Sequence, residues 1–111
     1  MAKLVEIAQL NHNLYILKDQ LAHQEERLLA LKGSSFQGAK PIGYDSIVES
    51  IIRLLKEIAK LNNDISIKYL SLAAEAKSSF DENEIIATAS QYAKHANEAE
   101  VRIKYYEASL S

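Results

Sequence analysis

From Ile7 onward, apolar side chains recur at Ile7, Leu10, Leu14, Leu17, Leu21, Leu28 and Leu31 in alternating steps of three and four, with Gln24 in the one polar slot. Such a run is a heptad seam, which turns one face of an α-helix toward a neighbouring helix. It predicts a first helix over about residues 2–32, stopped by Gly33, because glycine readily takes the backbone angles that end a helix. The seam suits an intramolecular bundle or a dimeric coiled coil, and both readings stay open.

A second helix is predicted over residues 45–78, entered at Asp45, whose carboxylate can accept from the free amides of a first turn. Its seam runs through Ile47, Ile51, Leu54, Ile58, Leu61 and Ile65, then slips to Tyr69, Leu72 and Ala76. The eleven-residue step from Leu61 to Leu72 relaxes left-handed supercoiling locally. A second stripe, Val48, Ile52, Leu55 and Ala59, lies beside the first. An apolar face this wide suits a helix that touches two neighbours, and helix 2 is the expected most buried element.

The third predicted helix covers residues 81–110, with Ile85, Ala89, Tyr92, Ala96, Ala99, Ile103, Tyr106 and Leu110 on its seam. Asp81 as cap, Glu84 as its reciprocal partner and Phe80 packing on Ile85 would make a capping box with a hydrophobic staple. The seam alanines carry little bulk, so the partner helix can come close. Pairs at Glu49 and Arg53, Glu98 and Arg102, and Glu100 and Lys104 are spaced for intrahelical ion pairing on solvated faces. Three helices of matched length, each on the order of 45 Å, joined second to third by a tight turn, predict an all-α, elongated up-down-up three-helix bundle. It is one domain, residues 1–111, with heptad packing like that of a coiled coil.

The loop over residues 33–44 holds all three glycines and the only proline, and it is longer than the two to eight residues that usually join packed helices. Phe36, Ile42 and Tyr44 stand among its turn formers. They admit two accounts: a plug folded back on the open end of the bundle, or a partner-contacting loop anchored by Phe36.

Composition narrows the function without naming it. The chain is 48% hydrophobic and 25% charged, with 13 basic against 15 acidic residues and a net charge of −2. Those values fit a globular domain and lack the strongly basic footprint of a nucleic-acid binder. Cysteine is absent, so thiolate zinc sites and disulfides are excluded. No apolar run is long enough to span a bilayer, and the opening MAKLVEIAQLNHN lacks the features of a secretory signal. A cytoplasmic, membrane-free protein is expected, with export by a route needing no signal peptide left open.

Candidate chemistry is sparse. His12 and His23 lie eleven residues apart, about 16 Å along a straight helix, too far to share an ion. His95 and Glu98 have a chelating spacing without the Glu-x-x-His motif of di-iron bundles. Phosphate-binding and nucleophile motifs are missing; paired carboxylates occur at Glu25 and Glu26 and at Asp81, Glu82 and Glu84, and the latter cluster sits at a helix start, where the dipole favours negative charge and capping explains it. No catalytic, cofactor or metal residues are assigned, and turnover is not expected. Arg53, Lys56 and Lys60 form a basic ridge on helix 2, weakened by the interleaved Glu57 and Asp64.

Phe36-Gln37-Gly38-Ala39 between two heptad helices resembles the Trp-x-Gly turn of the small helical-hairpin proteins of type VII secretion, over residues 1–75. That resemblance implies a dimeric or effector-binding hairpin. Here phenylalanine replaces tryptophan, KPIG precedes helix 2, and a full third helix follows. Tyr44 to Glu75 is similar in style to the helical N-terminal region of ArpU-like phage regulators, whose DNA-reading helix-turn-helix has no counterpart in residues 81–111. The expected function is non-enzymatic protein binding by a small adaptor, inhibitor or assembly factor of a bacterial or phage kind. Phe36, Ile42, Tyr44, Tyr15 and Tyr105 are the candidate contact residues, since aromatics supply large contact area. Another protein is the expected partner, with a homodimer open and nucleic acid disfavoured. The alternatives are a nucleic-acid-associated regulator using the basic ridge, and a type VII secretion partner.

Overall fold

The computed structural model describes residues 2–33 and 40–110. Three α-helices account for most of them: α1, Ala2–Gly33; α2, Tyr44–Ala73; and α3, Ser79–Ser109. The envelope measures 61 × 21 × 17 Å, of which helices of about thirty residues rising 1.5 Å each supply roughly 45 Å of the length. Polar cross-links fix their directions. Lys3 pairs with Glu75 at 3.0 Å and Lys68 with Glu6 at 2.8 Å, so the start of α1 lies beside the end of α2. The Ser66 hydroxyl donates to the Ala89 carbonyl at 2.8 Å and the Tyr69 and Tyr92 rings stack at 5.7 Å, so α3 starts there too. The topology is up-down-up, as the periodicity predicts.

α2 occupies the middle of the bundle. Both of its predicted stripes are buried, Ile47, Ile51, Leu54, Ile58 and Ile65 on one and Val48, Ile52, Leu55 and Ala59 on the other. α1 buries a single row, Ile7, Leu14, Leu21 and Leu28, spaced one heptad apart. Its other seam positions, Leu10, Leu17, Gln24 and Leu31, are only half-buried. α3 buries Ala89, Ala96, Ala99 and Ile103, and the small alanines let it lie closer on α2 than α1 does. No Cα of α1 comes within 8 Å of one in α3 among the described residues. The two outer helices meet through long side chains alone, across a slot floored by α2.

The helix ends depart from expectation in four places. α2 is capped by Gly43 at φ 89, ψ −3, rather than by Asp45. The Tyr44 amide donates to the Pro41 carbonyl at 3.2 Å, closing a type II turn whose third position requires a positive φ. Asp45 falls within the first turn instead, where it favours the helix dipole and pairs with Lys40 at 3.1 Å. At its other end α2 stops at Ala73, short of the predicted Ser78, and the cap residue Ala74 donates back to Leu70 at 3.3 Å while the next amide, Glu75, donates to Leu72 at 3.0 Å.

α3 begins two residues earlier than predicted, because Ser78 is the cap: its hydroxyl accepts from the Asp81 amide at 3.1 Å. Asp81 is therefore the third helical residue and not the cap. Phe80, expected to staple onto Ile85, is 72% exposed, since the shifted start rotates it off the packed face. The spaced ion pairs also fail to form as written. Glu98 bonds His95 at 3.0 Å, Arg102 reaches across to Glu25, and Arg53 donates to Ser50 at 3.5 Å. Exposed intrahelical pairs contribute so little that any nearer partner displaces them.

Candidate interaction surface

The residues picked from the sequence are dispersed rather than assembled. Ile42 sits at the second position of the turn into α2 and is 99% exposed, so it plugs nothing. Tyr44 does pack against the core, half-buried, with the Lys40 ammonium 5.4 Å above its ring. Lys40 also donates to the Ser109 carbonyl at 2.9 Å, tying the turn to the end of α3. Phe36 lies outside the described residues. Tyr15, midway along α1, is 73% exposed, and Tyr105 is exposed near the end of α3, edge-on to Tyr106 at 5.4 Å. Arg53, Lys56 and Lys60 are exposed on the outer face of α2.

Exposed apolar side chains do gather elsewhere. Leu4 and Val5 at the start of α1, Ile67 and Leu70 at the end of α2, and Phe80 and Ile86 at the start of α3 are all exposed toward the same end of the bundle. At the same end is a depression of about 430 Å³ walled by Leu4, Tyr69, Leu72, Ala76 and Ile85 and rimmed by Glu75, Asp81 and Glu84. Apolar groups left exposed at one end, beside an apolar depression with a polar rim, make this end the candidate contact site. The signal was present in the sequence as Leu4, Val5 and Phe80, but each falls off the seams and only the antiparallel packing brings them together.

The slot between α1 and α3 is more polar. The Tyr92 hydroxyl donates to Asn11 Oδ1 at 2.9 Å across one end. Arg102 and the Tyr106 hydroxyl both reach Glu25 Oε2 across the other, the tyrosine at 2.9 Å. Burial, then the hydrogen bond its hydroxyl donates to Glu25, raises the Tyr106 pKa, with Arg102 opposing; burial, then the nearby Tyr92, raises that of Tyr69. The pKa of Glu6, an exposed residue, is lowered by its hydrogen bond and charge pairing with Lys68.

Between these straps an opening of about 400 Å³ is lined by Lys18, His95 and Glu98 above Leu55, Ile58 and Asn62. Asn62 is 1% exposed. Its Nδ2 donates to the Ile58 carbonyl at 3.0 Å, but its Oδ1 accepts no hydrogen bond among the described residues. Sequence reasoning missed Asn62 and Ser66, although both continue the second stripe of α2 at the same spacing, past Ala59.

Among the described residues no cluster of three or more histidine and carboxylate groups is placed to hold a metal ion, and no helix is long and apolar enough to cross a membrane. The fold and its surfaces define an all-α, elongated three-helix bundle with a central helix flanked on two sides. Comparison with protein-family models, curated proteins and solved structures finds no match for the chain.

Proposed function

We propose that the chain is a protein-binding module, a small adaptor, inhibitor or assembly factor that acts by contact rather than by turnover. The observation that carries this is the apolar end formed by Leu4, Val5, Leu70, Phe80 and Ile86. These five large apolar groups, partly left in water at one end, forgo part of the roughly 1.5–3 kcal/mol that full burial of each would return. A partner that covers them recovers part of that. The acidic rim, Asp81 and Glu84 with Glu75 beside its partner Lys3, selects a partner surface that carries basic groups beside its apolar ones. In the other opening His95 is paired with Glu98, and Arg102 and Tyr106 with Glu25, which supports contact over general acid–base chemistry.

The test is affinity capture from cells that express the chain natively, with the wild type and Phe80→Asp compared at equal helicity. A protein retained by the wild type and lost from the variant supports the proposal. Identical recovery from both refutes the assignment of the apolar end. The nucleic-acid alternative draws on Arg53, Lys56 and Lys60, but Glu49, Glu57 and Asp64 alternate with them on the same face, which leaves little net field for a phosphate backbone.

A further inference from the structure

The outer face of α2 carries a charged ridge whose order bears on partner choice. Glu49, Arg53, Glu57, Lys60, Asp64 and Lys68 alternate in sign, in steps of four, four, three, four and four, with Lys56, one heptad after Glu49, at the margin of the row. At 100° per residue these six positions fall within one 100° arc of the helix. Reversing the ridge end for end returns the same spacing with every sign inverted. A surface with that property is complementary to its own antiparallel copy.

Two further observations point the same way. Although the spacing permits intrahelical pairing, Glu49, Glu57, Lys60 and Asp64 form no ion pair among the described residues, and Arg53 bonds only Ser50. The ridge also borders the half-buried row of α1. Ile16, Leu17 and Leu61 floor a depression of about 350 Å³ edged by Glu57 and Lys60. Leu10 and Ile67 floor another, about 280 Å³, edged by Asp64 and Lys68. Apolar floors with self-complementary charged edges are the layout of an isologous interface.

We propose that this face is covered by a second copy of the chain. α2 packs antiparallel on α2 of that copy about a two-fold axis passing between Glu57 and Lys60. Arg53 then faces Asp64 of the second copy, Glu57 faces Lys60, and each relation is repeated by symmetry. Leu17 and Leu61 of both copies lie beside the axis. The proposal is independent of the apolar end formed around Phe80, which stays free in the dimer.

Sedimentation equilibrium over a wide concentration range tests it, with helicity checked by circular dichroism. The wild type is expected to dimerise at about 0.1 M salt and to weaken near 1 M, where the screening length falls from about 10 Å to about 3 Å. Arg53→Glu and Asp64→Lys, each alone, place like charges together twice per dimer and should weaken self-association by about tenfold or more. An equimolar mixture of the two variants restores both attractive pairs and should dimerise as a heterodimer, as should the double variant with itself. Phe80→Asp should leave the dimer unchanged, which separates this result from the fate of the apolar end. A wild type that stays monomeric at every concentration overturns the proposal. So does a dimer indifferent to the single reversals, or a mixture that fails to recover.

Discussion

Replacing Asn62 with leucine should make the protein more stable, against the usual direction of core substitutions. Asn62 is 1% exposed and spends its amide nitrogen on the Ile58 carbonyl, which the regular α-helical ladder already supplies with a donor. Losing that bond therefore orphans nothing and costs about 1 kcal/mol at most. The Oδ1 atom, buried without a donor among the described residues, costs roughly 1–3 kcal/mol in desolvation, and leucine of similar size removes it. The balance is a gain of about 1–2 kcal/mol. Urea denaturation followed by circular dichroism measures it: at a slope near 1–3 kcal/mol/M the midpoint should rise by roughly 0.3–2 M with the slope unchanged. Asn62→Ala is the control, since it removes the orphan but leaves a void and should fall below leucine by about 2 kcal/mol or more. A midpoint for Asn62→Leu at or below the wild type refutes the reasoning. A change in association state would show instead that the buried amide sets helix register.

Three further outcomes follow from the helix ends and the tyrosines. Gly43→Ala forces an L side chain to φ 89 in open space, so it should lose about 1 kcal/mol by backbone strain alone, read as a lower melting temperature. Ser78→Ala removes the acceptor of the Asp81 amide and should lose about 1 kcal/mol, with fraying of the first turn of α3 visible by amide exchange. Tyr69 and Tyr106 have pKa values raised above the ordinary tyrosine value, so the folded state resists their ionisation. Their contribution is fully present below about pH 10, the unfolded value, and is lost as pH rises through the folded one; Tyr69→Phe should flatten the alkaline limb of a stability–pH curve.

Much of the candidate site was invisible in the sequence for a reason that particular residues show. Tyr15 and Tyr105 were legible as exposed because they fall off the seams, and both are exposed. Phe80 was misplaced because one hydroxyl, that of Ser78, moves the start of α3 and carries the aromatic ring around the helix by the same shift. Glu98 was assigned to Arg102 by spacing, yet Arg102 turns to Glu25, seventy-seven positions away in the chain. Local spacing describes which partners are within reach, while the choice among exposed polar partners is decided by whatever the neighbouring helix presents.

By itself the sequence determined three helices, their apolar faces, the breadth of the α2 face and the antiparallel order. Each of these follows from 3.6-residue periodicity, turn chemistry and chain length, which act within a helix and its nearest connection. Only the tertiary structure decided that Ile7, Leu14, Leu21 and Leu28 are buried while Leu10 and Leu17 stay half-open, and that α1 and α3 stand apart over Asn62. Those outcomes depend on how far each helix rotates about its axis and how closely it approaches, which is set by side chains remote in sequence, such as the α3 alanines against α2.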